Sequence, residues 1–233
     1  MFSLRGGLRA GAGIVLLLLS GCAYDGSGDP VSRKFSWFDY LGGGDIRAAC
    51  AAGAADRYRL VYNAIYVEQV RTYDLSVNPD GSGTLQSRVF GSPKLSAFSI
   101  GGISDLTSPW RGEAVSRRLD AAAVAALDAD IAASGAYGPA PEGLRLDSDR
   151  FYWTVAACKG GVFRFNAYQW PSDRFAALKF PERLFAWDET GVTVHPPREA
   201  DTREIHGSNN PEGAARFTVE VGANGLMGAQ PLF

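Results

Sequence analysis

The chain has 233 residues, 46% of them hydrophobic and 21% charged, with a formal net charge of −2. These proportions belong to a chain that buries a core and exclude a disordered one, and the length suits one ordinary domain or two small ones. Basic and acidic residues nearly balance, and no basic cluster exceeds Arg117-Arg118, so nucleic acid is not an expected partner.

The first element is the stretch from Arg5 to Cys22. Two arginines, Arg5 and Arg9, precede an apolar run that ends at Leu19, and Ser20-Gly21-Cys22 follows. Positive start, apolar core and small-residue end are the three parts of a secretory signal. The core is about 10 residues long, half the roughly 20 a spanning helix needs.

Leu19-Ser20-Gly21-Cys22 resembles the lipobox of bacterial lipoproteins at all four positions. The resemblance implies cleavage before Cys22, a diacylglyceryl group on its thiol and a fatty acid such as palmitate on its freed amine. Two or three chains on one residue meet the requirement for stable attachment, since a single chain holds only marginally. Ala23 stands where an aspartate favours inner-membrane retention in Gram-negative lipoproteins, so the expected address is the outer membrane, facing the periplasm. The membrane, through Cys22, is thus the first expected partner.

Residues 1–21 are read as the signal and 22–44 as a tether followed by an aromatic segment. "AYDGSGDP" is polar and turn-rich, whereas Phe35, Trp37, Phe38, Tyr40 and Leu41 crowd into seven positions. Those rings either meet a membrane or partner surface or tuck onto the domain core.

The domain is expected over residues 45–194. Arg57 to Tyr62 and then Gln69 to Val77 alternate as strands, with Arg71, Tyr73, Leu75 and Val77 on one face and Thr72, Asp74 and Ser76 on the other. Asn78-Pro79-Asp80-Gly81 is a turn in which Pro fixes φ and Gly accepts a positive φ, and Thr84–Phe90 returns as the partner strand. Residues 91–111 are rich in Gly, Ser and Pro and read as a long loop. A helix follows, capped by Asp120, with Val124, Leu127 and Ile131 on one face and Gly135 past its end. "FYWTVAAC", "KGG" and "VFRFNAYQW" form a second hairpin. Helical stretches then open at Pro171-Ser172 and at Pro181. From His195 to Phe233 an extended tail is expected.

The predicted fold class is therefore α+β: an antiparallel sheet built from hairpins, with about two helices on one face. The element order is similar to small β-β-α-β-β-α domains of uncharacterised bacterial lipoproteins, a likeness that carries no activity with it. Ala-Ala-Cys recurs at Cys50 and Cys158, each near an aromatic strand; an internal repeat with the cysteines at equivalent strand ends and chance similarity are both open.

With Cys22 lipidated in an exporting compartment, Cys50 and Cys158 have one available pairing. Bridging them closes a loop on the order of 100 residues, for which loop entropy gives about 4.7 kcal/mol; two buried free thiols are the alternative.

Catalytic signals are sparse. His195 and His206 fit no zinc spacing, no G-x-S-x-G elbow exists, and the Gly-rich stretches "LGGGD" and "SIGGIS" lack the ending of a phosphate loop. No cofactor and no metal are expected. Glu68 and Asp74 are candidates for a glycosidase-like carboxylate pair. The set Tyr62, Tyr66, Arg71, Tyr73, Trp153, Arg164, Tyr168 and Trp170 has the residue types of binding hot spots and is either a binding surface or an aromatic core edged by arginine stems. The leading expectation is a non-catalytic, lipid-anchored envelope protein that docks another envelope component, a protein or a glycan. The alternative is an envelope hydrolase of glycan or peptide.

Overall fold

The computed structural model describes residues 37–66, 68–90, 113–199 and 217–231. The signal, Cys22, the tether, Phe35 of the aromatic segment, the 91–112 stretch and His206 lie outside the described residues.

Two short helices, α1 over residues 37–42 and α2 over Gly44–Ala49, are split at Gly43, whose φ of 70° is left-handed. They occupy part of the stretch expected to be a tether and aromatic segment. Strand β1 follows (Arg57–Ala64), then β2 (Gln69–Val77) and β3 (Gly83–Phe90), joined by a turn in which Gly81 has φ 82°. This is the expected first hairpin. Strand β4 (Glu113–Leu119) was not anticipated. Helix α3 (Ala121–Ala133) begins where Asp120 accepts a hydrogen bond from the Ala123 amide and ends before Gly135, φ 74°, as its caps dictate. A short β5 (Arg145–Asp147) precedes the second expected hairpin, β6 (Phe151–Lys159) and β7 (Val162–Gln169). Helices α4 (Asp173–Ala176), capped by Ser172, and α5 (Phe180–Trp187), with Pro181 in its first turn, come next. The chain closes with β8 (Phe217–Gly222) and β9 (Gly225–Pro231).

The class is α+β and sheet-rich. A six-stranded sheet runs in the order β4-β3-β2-β1-β6-β7, and a three-stranded one in the order β5-β8-β9. Every pairing is antiparallel. Strand β1 sits in the middle because it pairs with β2, its neighbour in sequence, and with β6, far along the chain.

Elements cover both faces of that central strand. Tyr58, Leu60 and Tyr62 join one apolar cluster with Val124, Leu127 and Ile131 of α3 and Phe180 and Leu184 of α5. Val61 belongs to a second cluster, with Trp37 and Leu41 of α1, Ile46 of α2 and Phe217, Val219 and Val221 of β8. A strand covered on both sides has no solvent-facing side, which is why β1 is buried from Tyr58 to Ala64, Arg59 and Asn63 included. The rings of the 35–41 segment that are described belong to this packing: Trp37 is 5% exposed and stacks on Tyr40, with Tyr66 and Phe90 around it.

The expectation of an extended tail from 195 to 233 is corrected for residues 217–231. They form a hairpin that completes the small sheet and buries Phe217, Val219 and Val221. The alternation in "FTVEVG" is strand-like, but the Pro, Gly and charge preceding it mask the signal. The repeat reading also falls: Cys50 caps the end of helix α2, while Cys158 lies within β6.

Candidate functional site

Four of the eight residues read as a binding set stand in one row across the sheet. The register places Arg71 of β2 beside Tyr62 of β1, Tyr62 beside Trp153 of β6, and Trp153 beside Tyr168 of β7. Tyr62 stacks on Trp153 at 4.9 Å between ring centroids, and Tyr73 stacks on the same indole at 6.0 Å. Yet Tyr62, Arg71, Tyr73, Trp153 and Tyr168 are each no more than 1% exposed. Phe180 and Phe185 of α5 lie against the indole of Trp153 and close the row from above. Tyr66 is half-buried against Trp37 and Phe217, Trp170 is half-buried against Phe151, and only Arg164 is exposed. Tyr62, Arg71, Tyr73, Trp153 and Tyr168 are thus part of the buried core, not a surface. Residue type alone does not say which sheet face the helices will cover.

The polar tips of this row hold the chain in place. Tyr168 donates to the Ser134 carbonyl at 2.9 Å, and burial pushes its hydroxyl up to about 12. Tyr62 donates to the His195 carbonyl, and Gln69 to the Thr193 carbonyl. Arg71 reaches Asp188 at 2.5 Å, the Gln69 amide oxygen at 2.9 Å and the Val192 carbonyl. The segment after α5, residues 188–195, is thus strapped across the sheet by side chains of β1 and β2. Burial tends to raise the Asp188 carboxyl, but hydrogen bonds from Thr190 and Tyr73 and the Arg71 charge outweigh it, leaving it below the usual carboxylate range.

The opposite face of the same strands differs. Arg59 of β1 is 4% exposed. It donates to Asp74 at 2.6 Å, to Asp45 at 2.6 Å and to the Tyr40 carbonyl at 3.1 Å, and its guanidinium lies 3.6 Å over the Tyr40 ring. Tyr40 in turn donates to Asp74. From this fixed point outward, the sheet face carries two polar rows. One runs Arg59, Asp74, Gln86, Ser116, and the next runs Arg57, Ser76, Thr84, Arg118. Arg88 of β3 stands one row further, beside Thr72. Ser76, Thr84, Ser116 and Arg118 are exposed, and Gln86 and Arg88 are half-buried. Arg57, Arg59, Asp74, Ser76, Thr84, Gln86, Arg88 and Ser116, with Tyr40 at the edge, line a groove of about 350 Å³. The alternation of Thr72, Asp74 and Ser76 signals this face in the sequence; Ser116 and Arg118 do not show, because β4 reads as helix approach.

The other candidates are dispersed. Glu68 pairs with His195 at 3.4 Å and Arg198 at 2.9 Å, whereas Asp74 belongs to the Arg59 network, so the two carboxylates belong to separate networks. Cys50 and Cys158 are joined, with their Cα atoms 5.6 Å apart. A larger hollow of about 560 Å³ lies between α1–α2 and the β8–β9 hairpin, but its arginine, Arg47, is engaged by the Asn224 carbonyl and the Phe163 ring. Among the described residues no group of three or more His, Cys, Asp or Glu is arranged to hold a metal, and no helix is long and apolar enough to cross a membrane. No protein-family model, no curated protein and no solved structure matches the chain.

Proposed function

We propose that this chain is a lipid-anchored protein of the bacterial cell envelope whose folded domain docks another envelope component and catalyses no reaction. The observation that carries the anchoring is the sequence Leu19-Ser20-Gly21-Cys22 at the end of a short apolar run behind Arg5 and Arg9. Its acylated Cys22 holds the domain at the membrane, in the outer membrane and facing the periplasm in a Gram-negative cell. The groove on β1–β4 supports docking: it is lined by the exposed hydroxyls of Ser76, Thr84 and Ser116 and by the arginines Arg57, Arg59 and Arg88. Two aspartates near this sheet, Asp45 and Asp128, are held in structural ion pairs and not poised as general acids. A carboxylic general acid needs its pKa raised, but at Asp45 and Asp128 burial is outweighed by Arg59 and by Lys159 with Tyr137, and both are held below their ordinary value.

The anchor is tested by Cys22→Ser in the producing cell. The expected result is loss of fatty-acid labelling, with the chain either uncut or cut elsewhere and released in soluble form. A variant that keeps the wild-type mature mass and stays with membranes through a carbonate wash overturns the reading.

A further inference from the structure

We propose that the groove on β1–β4 is a binding site for an acidic glycan, a hydroxyl-rich chain bearing carboxylate groups. The proposal deepens the docking reading above and rests on it.

The charges on this face are not equivalent. Arg59 is neutralised by Asp45 and Asp74, and Arg57 shares Asp45 at 3.3 Å. Arg88 has no such counter-charge among the described residues: its Nε and Nη2 both donate to the neutral amide oxygen of Gln86, at 3.1 and 2.7 Å. That contact fixes the plane of the guanidinium and leaves its Nη1 edge free to donate. Arg118, exposed on β4 three strands from Arg57, is likewise without an ion pair among the described residues. Arg57, Arg59, Arg88 and Arg118 against Asp45 and Asp74 leave this face cationic on a chain whose net charge is −2. An oriented guanidinium without a partner is a receptor for a carboxylate, which it grips through two parallel hydrogen bonds.

The rest of the lining selects the kind of carboxylate. Ser76, Thr84 and Ser116 are exposed hydroxyls on three adjacent strands, each able to donate and to accept. Neighbouring strands lie about 4.8 Å apart, and same-face positions along a strand about 6.8 Å apart. The hydroxyls and guanidiniums therefore form a grid on the scale of a sugar ring and its substituents. Asp74 does not repel an anion, because Arg59 and Tyr40 hold both its oxygens. Among the described residues the only ring at the groove, Tyr40, lies under Arg59, and none on this face is a large exposed apolar side chain. A lipid surface or an apolar peptide finds little here to bury. An acidic peptide satisfies the arginines but leaves the three hydroxyls without the polyol partners that a glycan supplies.

The test is calorimetric titration of the full-length, lipid-bearing protein in detergent with trigalacturonate, at low and at moderate salt. Trigalacturonate is expected to bind and to weaken as salt rises, while neutral maltotriose binds less tightly. Arg88→Met and Arg118→Met are each expected to weaken trigalacturonate roughly tenfold, the loss of one charge-assisted contact. Arg88→Lys, which keeps the charge and loses the fork, is expected to fall between. Arg118 is exposed and Arg88 half-buried, and an unchanged melting temperature confirms that the fold persists in all three variants. Arg145→Met removes an exposed arginine on β5, and it is expected to leave binding unchanged. No binding of trigalacturonate overturns the proposal, as does an equal loss in Arg145→Met, which is bulk attraction. A hexaglutamate peptide, or a phosphatidylglycerol vesicle, that binds more tightly than trigalacturonate at the same charge concentration also overturns it, in favour of a protein or a membrane. Each of these failures leaves the acylation of Cys22 standing, and failed acylation leaves the groove's binding intact. A pull-down from solubilised envelopes that recovers nothing reproducible fails the docking reading itself, whatever trigalacturonate does.

Discussion

Arg71 and Asp188 meet inside the protein at 2.5 Å, with 0% and 3% of their side chains exposed. Two charges in so dry a place are tolerated only when every remaining donor and acceptor is used. Gln69 and the Val192 carbonyl take other Arg71 donors, and Tyr73 and Thr190 donate to Asp188. The pair therefore fastens the segment after α5 to the second strand of the sheet.

Removing one partner leaves the other charge buried without compensation. Arg71→Met and Asp188→Ala are each expected to destabilise the domain by about 3–5 kcal/mol. The double variant is expected to lose much less than the sum, because it leaves no orphaned charge. Urea denaturation of the three variants measures this, and strictly additive losses contradict the pairing.

The same aspartate sets an acid limit. Its pKa lies below the ordinary value in the folded protein, so the folded state binds its proton later than the unfolded chain does. A group of this kind contributes stability above the unfolded carboxylate value, near 4, and loses it as pH falls through the folded value. Asp45 and Asp128 are shifted in the same direction. The melting temperature is expected to be flat from neutral pH down to about 5 and to fall steeply below about 4. Asp188→Asn is expected to be less stable than the parent at pH 7 and to show a shallower acid decline. A parallel decline places the acid sensitivity elsewhere.

Local chemistry made part of this fold legible. Asp120 and Gly135 bracket α3 because a cap and a left-handed terminus are decided within a few residues, and Asn78 to Gly81 marks its hairpin for the same reason. Elements decided by distant partners were not legible. Strand β4 has no strong alternation and exists through its pairing with β3. The β8–β9 hairpin is held by β5 and by Phe38 against Phe217, and nothing near it in sequence announces either. Within "LGGGD", Gly43 supplies the left-handed break between α1 and α2, but the helices on each side form by burying Trp37, Leu41 and Ile46. For the aromatic set the sequence left a binding surface and an aromatic core both open, and residue type does not decide between them. Four of its members share a row by strand register, and the packing of α3 and α5 over that face keeps the row dry.

The link between Cys50 and Cys158 spans 108 residues of sequence and joins the end of α2 to β6. Cys158 pairs in register with Arg57, the first residue of β1, so the bridge ties the N-terminal helices to the middle of the sheet. Both cysteines pack in the cluster that contains Trp37 and Phe163, which keeps the site built when the bond is absent. The main effect of losing the bond therefore falls on the unfolded chain, which is released from a long loop. Reduction, or Cys50→Ala with Cys158→Ala, is expected to lower stability by about 2–5 kcal/mol, with the folded circular dichroism spectrum unchanged. The single variants are expected to lose at least as much as the double, since each leaves one thiol able to mispair between chains. Denatured, unreduced protein purified from the envelope is expected to take up no alkylating reagent, Cys22 being thioether-linked and the other two bonded. Two thiols alkylated without reductant contradict the bridge, and a double variant as stable as the parent contradicts the long-loop account of what the bridge does.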